Sequence, residues 1–445
     1  MTDFVSISLC KLKKGVMFIR ILFVFVIFNN LALAAVKMPK EQVVNDISVY
    51  SLEDDFLPII SVNIAFENAG VVYQEKDLVG INAVVSYLSN NLLFVKDRES
   101  FSNEIANRNL SVSFSSDMEN FYISLNFTRS DQEFVKKFLK SFFYEFEVSQ
   151  TDINKAVKYI NYAKTNSYLN SNFVSNQNLK NNFFEKPFNR DGFIEADKSS
   201  MINAVSIKNF VQALNNKKRL KLAIVGDLRQ HELEGFVSEV FDGFENRDFA
   251  KDIKPRVKDY ATYVKYFPGY DQIVFYSAIQ GIKRNAENFY AFYLLNHLIG
   301  GSARNSFIST RLREDEGLTY SSYSYVNYFY DFGYMVLYFA TDKAKYREAK
   351  AVYYQLLDEI KYIDFSQQDL DAAKKFLMGK YDISFTSNSK ISGFLIGLML
   401  NDLPANMLIK RNDFVEAVTL EDINNVRDQI FMNQDFTTVI TGAIN

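Results

Sequence analysis

Two histidines and one cysteine are the only imidazoles and the only thiol in this 445-residue chain, and they bound its chemistry. A protein zinc site takes three or four ligands, mostly Cys and His with Asp or Glu beside them. His231 and His297 lie 66 positions apart, so neither an H-x-x-E-H nor an H-x-x-x-H helix is possible. Cys10 is single, which excludes a zinc ribbon, a C-x-x-C redox pair and an intramolecular disulfide. It also sits in a segment that reads as a targeting signal, so a Cys–His dyad is nearly excluded. His231 falls at a helix start, Arg229-Gln230-His231-Glu232, and reads as a surface residue. His297 sits beside Leu298 in an apolar helix and reads as partly buried and hydrogen-bonded. No Ser–His–Asp arrangement can be assembled from the sequence.

Composition narrows the class further. Hydrophobic residues make up 48% and charged residues 23%, as in an ordinary globular protein. Gly and Pro number only 17 and 6, which argues against long linkers. The 42 Phe and 27 Tyr supply large apolar surfaces for the core. Fifty basic against 53 acidic residues leave a net charge of −3, with no electrostatic footprint for nucleic acid. Near the amino terminus Lys11, Lys13, Lys14 and Arg20 precede an apolar run, Ile21 to Phe28, and then Leu31-Ala32-Leu33-Ala34-Ala35. That pattern predicts a secretory signal over 1–35 and a secreted, periplasmic chain, with an uncleaved anchor as the alternative. The mature chain would carry no cysteine, which suits an oxidising compartment. No stable membrane span is expected after cleavage.

The elements that must position any site repeat themselves. Leu57 to Phe66 reads as a buried strand, followed by a helix from Val79 to Leu93. Residues 110–114 and 123–127 alternate as a hairpin around Ser116-Asp117. Ser130 and Glu133 have the spacing of a capping box for the next helix. Val205-Ser206-Ile207 opens a helix ahead of the strand Leu222 to Gly226. Val418-Thr419-Leu420 does the same ahead of Phe436 to Gly442, with Asp422 at a capping-box position. The two pairs are offset by 213 and 216 positions. The strand near Ile59 and its helix likewise resemble Ile273 to Ile279 and Asn288 to Ile299. The mature chain therefore reads as two tandem copies of one α+β unit, each an antiparallel-rich sheet covered by helices. The copies are placed at 36–245 and 263–445, with a polar linker at 246–262 containing Pro255.

In the second copy, Leu298-Ile299-Gly300-Gly301-Ser302 precedes Ser309-Thr310-Arg311-Leu312-Arg313-Glu314-Asp315-Glu316-Gly317-Leu318-Thr319-Tyr320-Ser321. This resembles the carboxy-terminal domain signature of the pitrilysin/insulinase-like zinc peptidases. Leu377-Met378-Gly379, Leu403-Pro404 and the final helix and strand keep the family's order. The glycine pair is no phosphate loop, since no Gly-Lys-Ser/Thr follows; it is expected as a turn or hinge. In active members the helix after the first strand reads Gly-Leu-x-His-x-x-Glu-His. Its two histidines grip zinc and its Glu is the general base. The matching segment here is Gly80-Ile81-Asn82-Ala83-Val84-Val85-Ser86-Tyr87. Ala83 and Tyr87 stand at the histidine positions and Ser86 at the base. The family's third ligand is a Glu about 75 residues on, and no Glu occurs between Glu147 and Glu185.

The resemblance keeps one pair, Arg313 and Tyr320, which in active members reaches the scissile region of the substrate. By residue type alone, Arg313 could pair with Glu314 or Glu316 and Tyr320 could be core. The family also includes bacterial members split into two half-length chains, one with zinc and one with the Arg–Tyr pair. This chain resembles the second kind. It is expected to hold no zinc or other cofactor and to be inactive alone. It would bind unfolded peptides together with a zinc-bearing homologue, supplying Arg313 and Tyr320. The alternative is a structural or peptide-holding homologue without a peptidase partner.

Overall fold

One connection order is used twice. The computed structural model describes residues 37–249, 253–268, 272–302 and 305–444. The expected signal at 1–35, with Cys10, lies outside the described residues. The first sheet contains β1 (Lys40–Val44), β2 (Ile47–Glu53), β3 (Ile59–Phe66), β4 (Ser111–Ser116), β5 (Phe121–Thr128) and β6 (Leu220–Gly226). They lie in the order β1-β2-β6-β3-β5-β4. The second contains β7 (Thr262–Tyr266), β8 (Gln272–Gly281), β9 (Ser321–Phe329), β10 (Phe332–Asp342) and β11 (Thr437–Gly442), in the order β7-β11-β8-β10-β9. Without β1 the two orders correspond strand for strand. Directions correspond too: β2 is parallel to β6 and β7 to β11, and all other pairings are antiparallel. The α+β reading and the antiparallel bias are both present in the structure.

The helices of the first repeat are α1 (Ile81–Asn90), α2 (Arg98–Asn107), α3 (Gln132–Tyr144), α4 (Gln150–Tyr168), α5 (Ser171–Phe183), α6 (Ala204–Leu214) and α7 (Gln230–Phe241). Those of the second are α8 (Phe289–Asn296), α9 (Tyr346–Tyr362), α10 (Gln367–Asp382), α11 (Asn388–Met399), α12 (Met407–Ala417) and α13 (Leu420–Phe431). After each hairpin come three helices in succession, so α3, α4 and α5 answer to α9, α10 and α11. Among the described residues no helix is long and apolar enough to cross a membrane.

Strand side chains alternate between faces, so each sheet has two faces to cover. Ile60, Val62, Ile64 and Phe66 of β3, with Leu222 and Ile224 of β6, pack on the first repeat's own helices. Their neighbours Ala65, Ala223 and Val225 pack with Leu395 and Met399 of α11, from the other repeat. Small and polar residues on that side admit the helix. Asn63 Nδ2 donates to Ser392 Oγ at 2.7 Å, and Asn388 Nδ2 to the Ile59 carbonyl at 3.0 Å. The second sheet is built the same way. Ile273, Phe275 and Ile279 face their own repeat's helices. Val274, Tyr276, Ala278 and Val439 pack on Leu179, Phe183 and Phe184 from α5 and its end. Equivalent helices are thus exchanged, and Pro39 to Asn445 form one body.

The segment between the repeats is tied to this exchange. Phe184 and Val257 form a β-bridge, and Lys258 N–H donates to the Phe183 carbonyl at 2.9 Å. The two hairpin turns also meet. Both carboxylate oxygens of Glu119 accept the Tyr330 N–H, at 3.0 and 3.1 Å. Burial pushes the Glu119 carboxyl up to about 7, with Asp117 and Glu67 adding to the shift and the Tyr330 N–H opposing it.

Some local expectations differ. The strands β1, β2 and β7 are not announced by the sequence pattern. The Ser130–Glu133 capping box is absent: Arg129–Asp131 forms a 3-10 turn and α3 begins at Gln132 without a side-chain cap. Its members are engaged elsewhere. Ser130 Oγ lies 2.9 Å from Thr128 Oγ1, and Glu133 accepts from Lys136 at 2.8 Å. The Thr419–Asp422 box is formed, and the helix opened by Val205 has its own box from Asn203 and Ser206.

The Glu119 contact has a pH signature. A carboxyl raised in the folded state is ionised first in the unfolded chain, so its contribution to stability falls as pH rises from about 4.5 to about 7. Urea unfolding of Glu119→Gln should therefore lose part of the decline between those pH values and be the more stable form at pH 8. A variant less stable than the parent at pH 8 contradicts this.

Candidate functional site

Gly80 fixes the start of α1. Its φ is +95°, and a Cβ there would lie 2.7 Å from Ile194 Cγ1. Its N–H donates to Gln74 Oε1 at 2.8 Å. From that start, Ile81, Val84, Val85 and Leu88 turn into the first core. Positions 83, 86 and 87 then share another side of the helix, as i, i+3 and i+4 spacing requires. Ala83, Ser86 and Tyr87 are all half-buried there. Ala83 offers a methyl group with no lone pair. Ser86 Oγ is buried without a hydrogen-bond partner. The Tyr87 ring packs 4.6 Å from the ring of Tyr159 on α4. By the resemblance, α4 is the helix that would supply a third ligand, and it contains no Glu. Two phenol rings therefore bridge α1 and α4. Among the described residues no three of His, Cys, Asp and Glu gather as a metal site.

The histidines lie apart from this face. His231 is exposed near the start of α7. His297 is buried, and its contact is a stack on Phe376 at 5.1 Å rather than the expected hydrogen bond. Burial, and then Lys380, push its imidazole below the usual value.

The second candidate face follows α8. Residues His297–Gly301 continue that helix as a π turn, where a loop turn or hinge is expected. Gly300 makes this possible, since a Cβ there would sit 2.6 Å from the Ser324 nitrogen on β9. A second π turn, Thr310–Asp315, carries Arg313. Buried Leu312 anchors it, and its carbonyl accepts the Leu318 N–H at 2.9 Å. Thr341 Oγ1 donates to the Leu318 carbonyl at 2.8 Å.

The π turn decides which arginine is paired. Residues five apart are neighbours in that geometry, and Arg311 takes Glu316, with Glu359 at 3.3 Å. An α-helical register would have favoured Arg313 with Glu316, three apart. Arg313 has no ion pair or hydrogen bond with any described residue. Tyr320, just ahead of β9, is 95% exposed. Its neighbour Thr319 is buried and donates to the Ala340 carbonyl, so the phenol projects from a fixed backbone.

Two contributors were not visible in the sequence. Tyr159 reaches Tyr87 only through the packing of α4 on α1. Asn90 ends α1 by clamping the edge strand β4, donating to the Phe114 carbonyl and accepting the Phe114 N–H, both at 2.8 Å.

Residues 202–377 match the family profile described as the peptidase M16 inactive domain. That stretch takes in both Arg313 and Tyr320. The chain is similar to a Helicobacter pylori protein described as "Non-peptidase homolog YmxG", with 21% identity over 86% of this chain and 91% of that one. It is 27% identical to a Bacillus subtilis protein described as "Uncharacterized zinc protease YmxG". That match spans 37% of this chain and 40% of the relative's length. A crystal structure of a peptidase M16 inactive domain from Pseudomonas fluorescens has the same fold, with a TM-score of 0.81 and 18% identity. It covers 92% of this chain and 98% of that one.

A face built of Ala83, Ser86 and Tyr87 predicts indifference to metal. A ligand that binds only the folded state raises the unfolding midpoint by mass action. Chelator treatment should leave the thermal midpoint unchanged, and added zinc at micromolar excess should not raise it. A zinc-dependent rise would contradict the assignment of Ala83, Ser86 and Tyr87 as a lost site.

Proposed function

We propose a function from the premise that the chain belongs to the peptidase M16 family, the insulinase-like peptidases, and lacks their zinc ligands. It is a non-catalytic homologue. In our reading it is one half of a heterodimer. The other half is a homologous chain with an intact zinc helix, and the two enclose unfolded peptides between them. The zinc of that partner supplies the activated water. Arg313 and Tyr320 of this chain would act from the opposite side. The guanidinium donates to a peptide carbonyl, and the phenol O–H donates to the oxyanion as it develops.

The observation that supports this most is the state of that pair. Arg313 is unpaired among the described residues while Arg311, two positions away, takes the nearby acids. Tyr320 is 95% exposed between anchored neighbours. A phenol so exposed adds little to the chain's own core. The peptide itself would lie as an added strand on a sheet edge. β9 starts directly after Tyr320 and is the outer strand of its sheet. Main-chain hydrogen bonds would then give affinity with little sequence selectivity. With the signal expected at 1–35, this assembly would work in the periplasm.

The description of the Helicobacter pylori relative favours a second reading, a peptide-holding protein with no peptidase partner. Such a protein would form a stable homodimer and leave every peptidase unchanged.

The test separates binding from chemistry. In the reconstituted pair, Arg313→Ala and Tyr320→Phe should each lower kcat on the order of 10²-fold. Co-elution with the zinc-bearing chain should be unchanged. Full turnover with both substitutions together would refute the role given to the pair.

A further inference from the structure

A cavity of about 770 Å³ opens between the chain ahead of α1 and helix α6. That is the size of many small-molecule sites. Neither the zinc-motif positions nor Arg313 and Tyr320 line it. Part of its wall is apolar, formed by Leu78, Met201, Val205 and Phe210. Met201 and Val205 are 46% and 67% exposed, which makes an apolar lip.

Three charged residues line this cavity, and they differ in their pairing. Asp77 is neutralised by Lys198 at 2.8 Å, and Glu75 is exposed. Arg219, just ahead of β6, has no carboxylate partner among the described residues. Its guanidinium carbon lies 5.2 Å from the centre of the Phe249 ring. Stacking occupies the flat face of a guanidinium and leaves its in-plane N–H donors for a planar acceptor. No described residue accepts from that side chain, and its Nε is buried without a partner. Burial, and then the repulsion of Arg247, lower its pKa from the ordinary value, the direction expected of a cation short of counter-charge. Gln74, itself 9% exposed, also lines the cavity, and its Nε2 has no acceptor.

We infer that this cavity binds a carboxylate carried on an apolar body, with the head group on Arg219 and the body against Leu78, Met201, Val205 and Phe210. A planar carboxylate matches the guanidinium donors, and its charge offsets a cation the fold leaves unpaired. The apolar body would cover the exposed lip. Two sources share this chemistry, the C-terminal residue of a peptide and a fatty acid. The inference does not depend on a peptidase partner, so the chain is tested alone.

The experiment is calorimetric titration with N-acetyl-leucine against its amide, and with decanoate against decanol. At least one acid should bind about tenfold or more tighter than its uncharged counterpart. The acid that binds identifies the source; binding of both means that the site reads the head group. Arg219→Gln should weaken that acid about tenfold or more. Val205→Asp, on the exposed lip where the core is untouched, should also weaken it through charge repulsion. Equal affinity for acid and uncharged probe overturns the proposal. So does no binding of either acid at millimolar concentration, or full affinity in both folded variants.

Discussion

The structure depends on the exchange of equivalent helices between its two repeats. A sheet with two apolar faces must cover both, and each repeat's own helices cover only one. Helix α11 of the second repeat lies on the first sheet, and α5 of the first lies on the second. The faces they meet differ in chemistry. The first offers small and polar side chains, Asn63, Ala65 and Ala223, and is fastened by the Asn63–Ser392 hydrogen bond. The second offers Val274, Tyr276 and Ala278, and is filled by Phe183 and Phe184. The connecting segment is bridged to Phe184, and Glu119 links the two hairpin turns, so both repeats are held as one body.

That fixed frame gives the two candidate faces their different fates. On α1 the three positions that the resemblance aligns with a zinc motif, Ala83, Ser86 and Tyr87, lie on one helical side. They carry a methyl group, a hydroxyl and a ring packed at a tilt against Tyr159. On the second face Leu312, Leu318 and Thr319 are buried and bonded, while Arg313 and Tyr320 are left without partners among the described residues.

Much of this was legible in the sequence, and the limits have physical causes. The hairpin of β4 and β5 reads from simple alternation, and the duplication from matching helix–strand pairs. The start of α1 reads from Gly80, and the resemblance, not the spacing, marks Ala83, Ser86 and Tyr87 on it. β1 escapes detection because Lys40, Glu41 and Gln42 give it no apolar alternation, and its one strand partner is β2. The parallel pairing of β2 with β6 joins segments far apart in the chain, beyond any local pattern. The helix exchange is likewise a tertiary fact. The pairing of Arg311 rather than Arg313 with Glu316 rests on a π turn, and residue type does not separate an i+3 partner from an i+5 one. The Ser130 box failed because Thr128 and Lys136 compete for its two side chains.

The central claim is that this chain completes a peptidase whose zinc lies in another polypeptide. The most direct measurement is turnover of an unstructured peptide by a zinc-bearing homologue at fixed concentration, titrated with this chain. The account predicts negligible turnover by either chain alone and a rise to a plateau at one equivalent. Full turnover by the zinc-bearing chain alone, unchanged across the titration, would contradict it.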